Sequence, residues 1–327
     1  MNGIITFFAD YTLRNVFLGT MLLGIGSGVV GSFAVLRKQS LLGDAVAHAA
    51  LPGVVIAFLL TGSKMTLPLL LGAGLTGLIG TFFINNIVHN SKVDTDAAQG
   101  IVLGVFLGLG FLLLTYVQKL PGAGKSGLDK FIFGQAATIT QQDVIIIFIV
   151  EAFVLIIIAL LWKELKLSTF DPGFSQSIGF SPKIIELVLT VLIVITIVIG
   201  IQSVGVILMS ALLLAPAAAA RQWTDKLSVM CILSALFGAA SGMGGAVISS
   251  QVVKMPTGPI IVCFLTGFTI ISILFSPHRG IIQAKIKKLY ICFYYLKSIF
   301  LKISFGLQSK HFFLDNSNLI AELFPVL

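Results

Sequence analysis

LRKQSLLGDAVAHAALPGVVIAFLL, residues 36–60, decides how this chain is read. Asp44 and His48 stand four residues apart at the head of a segment that is otherwise almost wholly apolar. On a helix that spacing puts both side chains on one face, with Cβ atoms about 5–6 Å apart. Ionisable residues inside membrane segments are costly, and they mark ion or substrate pathways. A carboxylate beside an imidazole suits a divalent transition metal such as manganese, iron or zinc. A blander alternative is that Asp44, after the turn-prone Gly43, caps the helix and that His48 satisfies a neighbouring backbone group. The pattern alone leaves both open.

The rest of the chain supplies the membrane setting. Of its 327 residues, 57% are hydrophobic and 10% charged, with a mean hydropathy of +1.05. A soluble domain carries roughly 25% charged residues. Long apolar runs recur, each sufficient to cross a hydrocarbon core of about 30 Å. Their continuity argues against the alternating strands of a barrel. The fold class is an all-α polytopic membrane protein. Nine candidate spans, with eight to ten compatible, run over 14–36, 41–61, 66–88, 98–118, 142–162, 184–201, 204–220, 227–248 and 259–276. The sixth and seventh are short, and the pair also reads as one span plus a half-helix.

Charge gives the direction. Fifteen of the 21 basic residues fall on one set of connections, seven of them in the tail after Pro277, and six on the other. The side richer in Lys and Arg is the cytoplasmic one, so the N-terminus is expected outside and the C-terminus inside. A net charge of +8 fits basic loops against anionic lipid rather than nucleic acid. Cys231, Cys263 and Cys292 are too scattered for a metal knuckle or a disulfide framework. The N-terminus lacks the basic leading region of a cleavable signal peptide.

Small residues at four-residue spacing let helix backbones approach closely. Gly24 and Gly28, with Gly31 nearby, and the ladder Gly100, Gly104 and Gly108 are therefore read as helix-packing surfaces. Glu151 lies in the middle of the fifth span, where it either lines the pathway or hydrogen-bonds another helix; the second is expected. In the loop WKELKLSTFDPGFSQSIGFSP, residues 162–182, Asp171-Pro172-Gly173 is a helix-start signal. It predicts a short helix from Pro172 to Ile178, stopped by Gly179. Such a helix is either a docking element or a solvated connector.

Catalytic patterns are missing. GAGKSG at 122–127 is only part of a phosphate-binding loop, because the required first glycine is Lys119. No nucleophile elbow, HExxH or catalytic carboxylate pair occurs. The chain is expected to be a transport subunit and not an enzyme, with any ATP hydrolysis on a separate chain. The tail beyond Arg279, with lysines among aromatics and isoleucines, reads as a basic amphipathic helix on the inner membrane face. Residues 1–280 then form the transmembrane domain and 281–327 a basic cytoplasmic tail.

Six ordered motifs carry a resemblance. They are LRKQSLLGDAVAHAALPGV at 36–54, DTDAAQGIVLGVFLGLG at 94–110, FIFGQAATITQQDV at 131–144, FDPGFSQSIGFSP at 170–182, VGVILMSALLLAPAAAAR at 204–221 and SGMGGAVISSQVVKMPTGPIIV at 241–262. The chain resembles the membrane subunit of a bacterial ABC importer for manganese, zinc or iron(II), the metal-ion permease family ABC-3. The resemblance implies a type II importer-like permease that forms a homodimer in the bacterial cytoplasmic membrane. It implies a cytoplasmic ATP-binding subunit that drives alternating access, and an extracytoplasmic metal-binding protein that delivers the ion. It places Asp44 and His48 on the family's Gly-Asp-x-x-x-His positions as a transient metal site. It assigns Asp171, Pro172, Gly173, Phe174, Ser175, Gln176, Ser177, Ile178 and Gly179 to the helix that couples to the ATPase. The transported metal ion is substrate, and no covalently bound cofactor is implied. The family often ends near Pro277–Gly280, so the resemblance leaves the tail's role open. Two other readings remain: a siderophore, haem or corrin permease of the same superfamily, and a stand-alone secondary ion transporter.

Overall fold

The computed structural model describes residues 11–39, 41–62, 66–119, 139–251, 257–277, 280–283 and 285. The regular elements among them are eleven α-helices. They are α1 (Tyr11–Leu36), α2 (Leu42–Thr61), α3 (Thr66–Asn90), α4 (Thr95–Lys119), α5 (Gln141–Leu160), α6 (Trp162–Phe170), α7 (Pro172–Ser177), α8 (Pro182–Val204), α9 (Val206–Trp223), α10 (Leu227–Gln251) and α11 (Thr257–Phe275). Hydrocarbon offers no water to unpaired backbone groups, so apolar spans close their hydrogen bonds within a helix. The nine expected spans correspond one to one with α1–α5 and α8–α11, their ends shifted by a few residues. Eight of these helices are long and apolar enough to cross a membrane; α9 is not among them. It follows α8 after Gly205 alone, whose φ of +87° is a conformation that favours glycine. The ambiguity between the sixth and seventh spans therefore lies at a real break.

Helix ends obey local chemistry. Thr140 and Asp143 form a capping box at α5: each side chain accepts from the other's backbone N–H, at 3.3 Å and 3.0 Å. Gly62, at φ +62°, ends α2 with its N–H on Phe58 O at 2.8 Å.

The first glycine set does pack. Gly24 and Gly238 press backbone to backbone between α1 and α10, and a Cβ on either would collide with the other chain segment. Ser234 Oγ donates to Gly28 O at 2.7 Å, and Thr20 Oγ1 to Gly242 O at 3.1 Å. Gly31 lies against Leu213 O of α9, and Gly53 of α2 meets Gly72 of α3 in the same close manner. Close approach and interhelical hydrogen bonds are the two adhesives available without water. The second ladder differs: a Cβ on Gly100, Gly104 or Gly108 would meet nothing within 4 Å. That face of α4 is open within one chain. GAGKSG at 122–127, Cys292 and the tail from residue 286 lie outside the described residues.

Candidate functional site

Leu36 ends α1, residues 37–39 form a turn, and α2 runs from Leu42 to Thr61. Lys38 takes φ +57° in that turn, and backbone bonds from Lys38 N to Val35 O (3.1 Å) and Gln39 N to Ala34 O (3.0 Å) hold it. No side chain caps the start of α2 at Leu41, so Asp44 is not its cap. Instead, Asp44 Oδ1 lies 3.5 Å from His48 Nε2. Between Leu42 and Val55 these two residues are the ones that are not buried. Their side chains are 38% and 19% exposed, so the pair is accessible on a stretch of α2 that is otherwise buried. His48 Nδ1 is buried without a hydrogen-bond partner. Pro52, inside α2, lacks the N–H that the His48 carbonyl would accept in a regular helix. One carboxylate, one imidazole and one carbonyl relieved of its helical donor thus gather on two turns. Among the described residues, no three His, Cys, Asp or Glu side chains cluster as a metal site. A single chain therefore presents an open pair, unlike the four-ligand cage of a structural zinc.

Glu151 behaves differently. It is 2% exposed, and its carboxyl fills the notch left by Gly26 on α1, where a Cβ would overlap it. Neither oxygen has a hydrogen-bond partner, so the expected bond to another helix does not form. The side chain is enclosed by helix packing.

The predicted short helix is present as α7. Asp171 Oδ1 accepts from Phe174 N–H at 2.9 Å, Pro172 fills the first turn, and Ser177 Oγ donates to Phe174 O at 2.8 Å. Gly179, at φ +97°, follows as the stop. Phe174 on α7 and Ile178 just after it are each 53% exposed, so the short helix and its end carry apolar side chains on the surface. Sequence reasoning missed α6, read as loop, and its attachment to α1. Phe33 meets Trp162 edge to face at 6.0 Å. Arg37 donates from Nε to Thr169 Oγ1 (3.3 Å) and from Nη2 to Ser168 Oγ (3.4 Å). The partners lie more than 125 residues apart in sequence, and a basic loop residue carried no signal of them.

Residues 9–276 match the model of the ABC 3 transport family, a range that contains every helix described above. The chain is 61% identical over 282 residues to the zinc transport system membrane protein TroC of Treponema pallidum, covering 86% of this chain and 95% of that protein. It is 47% identical over 272 residues to the manganese transport system membrane protein MntC of Bacillus subtilis, covering 83% of this chain and 62% of MntC. Among solved structures, PsaBC from Streptococcus pneumoniae in complex with Fab matches with a TM-score of 0.76 at 31% identity, covering 87% of this chain and 99% of that one. By the family match over most of its length and by these relatives, the chain belongs to the ABC 3 transport family.

Proposed function

We propose that this chain is the membrane permease subunit of an ABC importer for a divalent transition metal, zinc or manganese first and iron(II) next. Asp44 and His48 form the transient metal site. The carrying observation is that this pair alone stays accessible on the buried stretch of α2. A divalent ion crossing hydrocarbon needs charge compensation, and binding must be weak enough for release. Two side chains per protomer satisfy the second condition. A second protomer, bringing its own Asp44 and His48 to the pathway, satisfies the first. The similarity to TroC of a zinc transport system and MntC of a manganese transport system supports the choice of metals.

α7 is the element that couples to a cytoplasmic ATP-binding subunit, its exposed Phe174 and Ile178 seated in that partner. An extracytoplasmic binding protein delivers the ion on the opposite face. The protein sits in the bacterial cytoplasmic membrane with residues 281–327 on the cytoplasmic side, where the basic residues of the tail meet anionic lipid.

The test is metal content by elemental mass spectrometry. Cells without their own importers express the chain with its ATPase and binding protein, intact or as His48→Ala. A rise in zinc or manganese that His48→Ala removes is the expected result. A rise that survives the change discards His48 as a ligand. No rise in any divalent metal overturns the metal-ion reading in favour of a chelate permease or stand-alone transporter.

A further inference from the structure

The turn at residues 37–39 joins two things that the proposed function keeps separate. On its C-terminal side, α2 begins and presents Asp44 and His48 within its first two turns. On its N-terminal side, the end of α1 grips α6 at both ends. Phe33 meets Trp162, the first residue of α6, and Arg37 reaches Ser168 and Thr169, near its last. Only Asp171 stands between α6 and α7, capping the latter. Buried Ser168 and the half-buried guanidinium enclose the contact. Thr169 Oγ1 accepts from Arg37 and donates to Leu165 O at 2.7 Å, so the hydroxyl is held in one orientation by α6 itself. Burial pulls the Arg37 guanidinium below its ordinary value, and the Glu186 carboxylate at the start of α8 opposes that pull. A guanidinium remains charged throughout, and two fixed donors pin the turn in direction as well as in distance.

We propose that Arg37 is a positioning residue that transmits the movement of α7 to the Asp44–His48 pair. The assignment rests on the permease reading above. When a partner drives α7, α6 moves with it as the continuation of the same loop. The fork of Arg37 carries that displacement into the turn that aims α2. The left-handed Lys38, one residue on, makes the turn a defined joint between two rigid helices. A coupling element of this kind needs two discrete arrangements that both ends bias. The structure holds one of them, with the fork on Ser168 and Thr169.

The complete transporter, permease with ATP-binding subunit and metal-binding protein, is reconstituted in liposomes. Metal uptake, with zinc or manganese chloride as probe, and phosphate release are counted together. The expected result for Arg37→Met is normal assembly, ATP hydrolysis within twofold of wild type, and at least a tenfold fall in ions moved per ATP. The Ser168→Ala, Thr169→Val double variant removes the contact from the other side, and the same fall is expected. Combining all three changes is expected to be no worse than either alone. An unchanged ratio of ions to ATP in either variant overturns the assignment, even if less transporter assembles, because a mere anchor lowers the amount and leaves the ratio. If Arg37→Met does not assemble, the hydroxyl variant decides. Wild-type transporter that moves neither metal overturns the permease reading itself. Wild-type transport with an unchanged ratio in the variants overturns only the role of Arg37.

Discussion

Asp44 on α2 and Glu151 on α5 are carboxylates in membrane-spanning helices, and their surroundings are opposite. Asp44 shares a face of α2 with His48 and is accessible. Glu151 is enclosed on α5, has no hydrogen-bond partner, and is matched to an absent side chain at Gly26. An acid in a hydrophobic segment is usually taken as a pathway residue. The contrast shows that the rule needs a second condition, room beside the acid for something other than protein. Asp44 has it, and Glu151 does not.

Asp44→Asn is the sharpest way to break that contrast. It is expected to lower uptake by roughly 100-fold, about 2.7 kcal/mol in transition-state terms, with insertion and ATPase pairing intact. Glu151→Gln is expected to keep uptake within about threefold. Equal losses in uptake assays of the two would erase the distinction.

Next in size is the notch. Gly26→Ala should destabilise the protein by about 1–3 kcal/mol through overpacking, seen as a lower melting temperature in detergent. Glu151→Ala on that background should recover most of it, as coupled neighbours do. Recovery no greater than the sum of the single changes would mean that the two residues do not share the space. Smaller again, Glu151→Met removes a buried unpaired polar group and should raise stability by about 1 kcal/mol, measured by the same melting. The smallest effect is expected at the open ladder. Gly104→Ala should shift stability by less than about 1 kcal/mol, whereas Gly24→Ala, facing backbone of α10, should be poorly folded.

The spans were legible because a membrane demands continuous apolar length, which any window along the chain reveals. α7 was legible for a local reason: Asp171, Pro172 and Gly179 are cap, first turn and stop, all within nine residues. The helix nevertheless closes at Ser177, one residue earlier than expected. The Asp44–His48 face was legible because four-residue spacing is a helical neighbour relation; its accessibility was not, since that depends on what the other helices cover. The two glycine sets show the limit plainly. Gly24 and Gly28 share the spacing of Gly104 and Gly108, yet the first pair meets α10 and the second meets open space. Likewise α6 reads as loop, because its partners Phe33 and Arg37 come from a distant part of the chain.

Gly26 and Glu151 are sterically linked, because a Cβ at residue 26 would overlap the Glu151 carboxyl. A side chain at residue 26 would require the Glu151 carboxyl to move out of the space it fills. Among relatives, a larger residue at the position of Gly26 should come with a shortened or absent acid at that of Glu151. The order of change within a lineage should run through the loss of the acid first, since the reverse step creates a collision that selection removes.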